Sequence, residues 1–249
     1  MTRAVSTLSP GALDGLADAL AGEPVTLMER PLLGFDAPAD WTPLDLALAR
    51  LREYGAVALT SPRAARAVAQ RSRALASGAA RPPVSIWAAG RATAQALGDR
   101  WDPVRLPPVP APGADREGAG ASLARAMLAA RTPGPVLYPG GEVRRDELTR
   151  MLTAAGVAVE EVVCYRAVLA SAAEAQNVAR QADVLIVGSP RVAQLLATAC
   201  PPDSRPRLLA LGSTTAQAAE AAGWAPAGAA ATPTAEEVAR MILALHAHP

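Results

Sequence analysis

Apolar residues fall in short runs closed by glycine, proline or serine. These runs predict strands over Ala4–Thr7, Val25–Met28, Ala56–Thr60, Val84–Ala88, Val136–Tyr138, Val157–Val163, Val184–Val187 and Leu208–Leu211. Most are apolar throughout rather than alternating, as expected of strands covered on both faces. Between them apolar positions recur at three- and four-residue spacing, predicting helices over Gly11–Leu20, Pro62–Ala76, Ala92–Leu97, Gly120–Ala130, Arg144–Ala155, Pro190–Ala199, Thr215–Ala222 and Ala235–His246. Such alternation belongs to an α/β protein with doubly wound parallel sheets. Thr234, followed three residues later by Glu237, forms a capping box for the last helix.

Three stretches break the pattern. Arg105–Gly118 holds too many prolines for a helix or central strand and is expected to be a loop, and Pro31–Pro43 is expected to be irregular. Val159–Ala170 is an apolar ribbon without helical period and predicts a strand crossing between lobes. If the chain leaves one lobe near residue 34 and returns near 167, residues 1–34 and 167–249 make one discontinuous lobe. Residues 35–166 then make the second, and a two-segment linker joins two similar lobes.

A repeated phrase supports that division. "LTSPRAARAVAQ", Leu59–Gln70, is echoed by "VGSPRVAQLLAT", Val187–Thr198; "GRATAQAL" from Gly90 is echoed by "GSTTAQAA" from Gly212. In each first half an apolar strand ends in Ser-Pro and a helix begins, with Ser61 and Ser189 placed as N-caps and Pro62 and Pro190 at the first helical position. Thr60 precedes the first of these caps. In each second half a strand ends at Gly90 or Gly212, and Thr93 or Thr215 falls in the first turn of the next helix. Helix starts at carboxyl ends of parallel strands present free amides and a positive dipole end, which favour anions. Capping without a ligand would explain either copy alone. Two copies in the same order predict two lobes with anion-friendly edges facing one another across a cleft.

Composition narrows the partners. Of the 249 residues 51% are hydrophobic but only 3% aromatic, so the cores are built from Ala, Val and Leu. The formal net charge is +1, with every basic residue an arginine, so no long-range field draws the chain to nucleic acid or a membrane. Cys164 and Cys200 lack metal-type spacing and suit a reducing compartment. With no leader-like or membrane-spanning segment, a cytoplasmic protein is expected. A monomer is also expected, because no long apolar face is left unassigned.

The motifs together resemble the uroporphyrinogen-III synthase family. The resemblance runs through "LTSPRAA", "AAGRATAQAL", "VLYPGGEVRRDELTRMLTAAGVAVEEVVCYRA", "VLIVGSPRVAQLL", "LLALGSTTAQAAEAAG" and "ATPTAEEVARMI", and it lies in their succession rather than in any one of them. The chain departs from the family's pattern at "STLSP", at Gly140 and at Gly188. The resemblance implies a substrate, hydroxymethylbilane, a linear tetrapyrrole with eight carboxylates. It is cyclised to uroporphyrinogen III with the terminal ring inverted and water lost, without metal or redox cofactor. It also implies carboxylate contacts at Thr60, Ser61, Gly90, Thr93, Gly141, Arg145, Ser189, Gly212 and Thr215. Tyr165 matches the family's tyrosine at the lobe junction. It is either the acid that helps the hydroxyl leave or a buried ring packing the linker.

Other motifs carry less. His246 and His248 point to different faces of a terminal helix and lack further ligands. "GAGAS" and "PGGE" lack nucleotide-binding spacing, and "GSPR" is no nucleophile elbow. Arg144, Arg145 and Arg150 are expected on the solvated face of one helix start, with Arg145 closest to the ligand. A second reading keeps the scaffold without the catalysis, as a tetrapyrrole- or anion-binding sensor.

Overall fold

The computed structural model describes residues 1–75, 84–101, 103–109, 118–230 and 233–247. In chain order the elements are β1 (Thr2–Ser6), α1 (Leu16–Ala19), β2 (Val25–Glu29), β3 (Leu33–Asp36), α2 (Thr42–Ala49), β4 (Ala56–Leu59), α3 (Pro62–Leu75), β5 (Ser85–Ala88), α4 (Arg91–Leu97), β6 (Val104–Arg105) and α5 (Ala119–Ala129). There follow β7 (Val136–Gly141), α6 (Glu147–Ala154), β8 (Val159–Leu169), α7 (Ala172–Arg180), β9 (Val184–Val187), α8 (Pro190–Ala199), β10 (Arg207–Leu211), α9 (Ser213–Ala221), β11 (Gly228–Ala230) and α10 (Ala235–Ala247). The chain divides into two compact units, Met1–Gly34 with Val168–Pro249, and Phe35–Ala167.

In the first unit the strands lie in the order β11-β10-β9-β1-β2, and each pair is parallel. Both faces are buried because successive side chains point to opposite sides. Val5, Leu185 and Val187 enter one cluster with α7 and α8, whereas Ala4, Val184 and Ile186 enter another with α1 and α10. Sequence order reverses between β1 and β9, so their carboxyl ends form the switch point where open α/β sheets leave a crevice.

The second unit is built around the order β3-β8-β7-β4-β5-β6, in which the successive pairs from β8 to β6 are parallel. Val57 and Leu59 pack with α2 and α3, and Ala56 and Ala58 with α5 and α6. Here order reverses between β4 and β7. One irregularity sits beside that point: Gly140 pairs with Val163 but Gly141 pairs with Tyr165, so β8 holds one residue more than β7. A bulge of this kind re-aims the side chains that follow it. Cys164 and Tyr165, neighbours in sequence, both pack toward the same cluster as Leu59.

The α/β class and parallel sheets read from the sequence are present, and several boundaries differ. Pro31–Pro43, expected to be irregular, contains β3 and the start of α2, since Pro43 falls in the first turn, where its missing N–H is tolerated. The helix expected over Gly11–Leu20 shrinks to α1, because Gly11 and Gly15 take left-handed backbone with φ of 74° and 88°. Arg144–Ala155 begins as helix only at Glu147, since β7 continues to Gly141. Arg105, placed in a loop, ends β6, and residues 110–117 of that loop lie outside the described residues. Ala76 and His248 also lie outside them. His246 is bonded to Thr2, its Nδ1 2.6 Å from the threonine Oγ1. No described helix is long and apolar enough to cross a membrane.

Candidate active site

The switch point of the second unit gathers hydroxyls. The alternation of β4 carries on past its last residue, so Thr60 faces the side of Ala58 and Ser61 the side of Leu59. Each meets a tyrosine on its own side. Thr60 Oγ1 lies 3.0 Å from the Tyr138 hydroxyl, and Ser61 Oγ lies 3.4 Å from that of Tyr165. Ser61 also caps α3, accepting from the amide of Ala64 at 3.1 Å. Tyr138 is buried, and burial raises its pKa above that of a free phenol. Tyr165 is partly buried, and the Phe35 ring meets it edge-on at 5.9 Å. The Arg63 guanidinium lies 3.5 Å from the Phe35 ring centre, and desolvation lowers its pKa.

Two glycines make room for this cluster. A Cβ on Gly141 would stand 2.7 Å from Tyr165 Cε2 and 3.0 Å from its hydroxyl, so the ring occupies the space a side chain would take. A Cβ on Gly140 would stand 2.9 Å from Arg144 Cδ. Arg144 therefore folds back over the strand end. Its Nη1 donates to the Gly141 carbonyl at 2.8 Å, its Nη2 pairs with Glu161, and Thr149 donates to the same carboxylate. Arg144 holds the Glu161 carboxyl below the usual carboxylate range. This corrects the expectation that Arg144 belongs to a solvated face: its side chain is 19% exposed, against 81% for Arg145, which lies 3.9 Å from Glu147. Cys164 Sγ–H points to the Gly140 carbonyl at 3.3 Å, and burial pushes the thiol up to about 12.

The remaining residues expected at the site lie at three further strand ends. Gly90 opens α4 next to β4, where the Ala89 amide bonds the Leu59 carbonyl, and no atom approaches within 4 Å of where its Cβ would be. Gly212 opens α9 with φ 97°, a conformation that favours glycine, and again faces open space. Thr93 and Thr215 are buried beneath these starts, 4% and 1% exposed. Ser189 sits at the N-cap of α8, but its side chain makes no capping bond, which corrects that part of the capping expectation. At its switch point a Cβ on Gly188 would fall 2.5 Å from a Leu8 methyl, so Leu8 fills the room that glycine leaves.

Thr60, Ser61, Gly141 and Tyr165 thus form one contact group. Gly90 and Thr93 follow on the adjoining strand end, Arg145 lies beyond β7, and Ser189, Gly212 and Thr215 belong to the other unit. Sequence reasoning missed Tyr138, Arg144, Phe35 and Arg63. The period of β7 offered the signal for Tyr138, since it puts that residue on the same sheet face as Val136.

Hydroxyl donors, amides at helix starts and one fixed guanidinium suit a polycarboxylate. Among the described residues no group of three or more His, Cys, Asp or Glu could hold a metal ion. A family model described as uroporphyrinogen-III synthase HemD matches residues 14–240. No curated protein is matched by the sequence. Among solved structures, the chain is similar to uroporphyrinogen-III synthetase from Helicobacter pylori, with 18% identity and a TM-score of 0.62 over 98% of this chain and 100% of that one. It is also similar to a mutant uroporphyrinogen III synthase from Thermus thermophilus, with 16% identity and a TM-score of 0.56 over 99% and 98%. At these identities the structures speak for the fold.

Proposed function

The family model spans most of the sequence, so the chain belongs to the uroporphyrinogen-III synthase family, and we propose that the hydroxyl cluster at the β4/β7 switch point is where its reaction takes place. The enzyme closes hydroxymethylbilane to uroporphyrinogen III, inverting the terminal ring and releasing water. The match over residues 14–240 carries this conclusion. No observation favours a sensor that has lost catalysis.

Tyr165 is the proton donor. Its phenol stands against Ser61 Oγ on one side and above the bare Gly141 backbone on the other, so it is held without being enclosed. Protonation lets the hydroxyl of the first ring's hydroxymethyl group leave as water, with the electron pair supplied by that ring's nitrogen. The terminal ring bonds through its own substituted α-carbon to the exocyclic carbon of the resulting azafulvene, giving a spiro intermediate that fragments and recloses inverted. The proton shed as the ring regains aromaticity balances the one Tyr165 gave up. Because the free bilane can close without inversion, holding one folded conformer is the larger task, with orientation effects reaching roughly 7–11 kcal/mol in favourable cases. Thr60, Ser61, Arg145 and the amides at Gly90, Gly141, Ser189 and Gly212 take the carboxylates, supported from beneath by Thr93 and Thr215. The enzyme acts as a cytoplasmic monomer.

Incubation with freshly generated hydroxymethylbilane and separation of the isomers tests the reading. Type III product is expected, and type I alone would overturn it.

A further inference from the structure

We infer that Tyr138 is a positioning residue whose buried phenol turns the Thr60 hydroxyl proton toward the substrate's carboxylate. The inference rests on the reaction site proposed above and adds a residue to it. Tyr138 is 3% exposed, and its ring lies among Ala58, Trp87, Leu123 and Leu148, too deep to touch a ligand. Among the described residues its hydroxyl is bonded to Thr60 Oγ1 at 3.0 Å.

The geometry of that bond leaves two directions, and polar satisfaction selects one. If Thr60 donated, the phenol's own proton would be buried without an acceptor, the more expensive fault in a hydrogen-bond network. With the phenol donating, both protons are used: that of Tyr138 goes to Thr60 Oγ1, and that of Thr60 is left pointing away, toward the strand end. Arg144 lies 5.8 Å from the Tyr138 ring centre, held by the Gly141 carbonyl and Glu161. Its positive charge strengthens the phenol as a donor. Thr60 then offers an anion a fixed O–H rather than a rotor, lowering the entropy lost on binding.

A double-substitution cycle tests this, using Thr60→Val, Tyr138→Phe and both together. It is read by kcat and KM with hydroxymethylbilane and, independently of turnover, by fluorescence titration with uroporphyrin III as an octacarboxylate probe. Tyr138→Phe is expected to raise KM and the probe's Kd about fivefold with kcat changed less than twofold, and Thr60→Val to raise them about tenfold. The double variant should bind no worse than Thr60→Val alone, and Thr60→Ser should restore most of what Thr60→Val loses. Equal losses from Tyr138→Phe in the wild-type chain and in the Thr60→Val background would show a merely structural role and overturn the inference, as would no loss at all. Should Tyr138→Phe fail to fold, equal losses from Thr60→Ser and Thr60→Val would overturn it. A wild-type chain that makes only type I product defeats the site reading instead, while the probe titration still decides the role of Tyr138.

Discussion

At the proposed reaction site one glycine meets one phenol. Gly141→Ala brings a methyl to within 2.7 Å of Tyr165 Cε2, and the ring must move by nearly an ångström to relieve it. Since misplacement on that scale reduces rates by up to about 100-fold, kcat is expected to fall between about 10- and 100-fold while KM changes little, as steady-state kinetics would show. Tyr165→Phe should slow turnover at least about tenfold with an unchanged melting temperature; a near-normal rate would remove the phenol from the reaction. Tyr165 was legible in the sequence through "VVCYRA". Its partners were not, because Gly141 acts by what it lacks, and Phe35 sits 130 residues away on a strand hidden among prolines. Arg144 and Arg145 look alike in a sequence, and a bare Gly140 is what separates them in the fold.

At the level of elements, local chemistry decided which boundaries could be read in advance. β9 and α8 match their expected ranges to the residue, because Ser189-Pro190 punctuates the junction. In contrast α7 went unread although Ser171 and Glu174 form a full capping box. The short β6 and β11, two and three residues long, have no pattern to read. The caps differ in strength, and that can be measured. Ser61→Ala and Ser171→Ala each remove a bond to a helix amide and should lower stability by about 1 kcal/mol in urea denaturation. Ser189→Ala removes no such bond and should stay within about 0.5 kcal/mol. Equal losses at all three would mean that Ser189 is bonded in solution.

For the molecule as a whole, pH acts through groups tied into the folded state. Glu161 has a folded pKa below its ordinary 4.5, so its contribution is complete above that value and is lost as pH falls through the lower one. Cys164 works at the other end. Its thiol is raised from 9.0 to about 12, so the unfolded chain ionises first and stability falls as pH climbs from 9, by on the order of 1 kcal/mol per pH unit. Tyr54, raised to about 12 by burial, adds to the decline only above pH 10. Cys200 is raised by burial as well, so Cys164→Ala should lessen the dependence between pH 9 and 10 in chemical denaturation without abolishing it, and an unchanged slope would exclude the Cys164 thiol as a source. The pairing of β1 with β9 has a consequence for how the chain is made. On the ribosome Ala4 emerges some 180 residues ahead of Val184, the neighbour it needs. β1 can pair with β2 on one side, but its other edge must wait uncovered while the intervening unit is synthesised and free to fold. Truncation anywhere before β9 would strand that segment with an open sheet edge, and such nascent fragments are where chaperone capture and aggregation should concentrate.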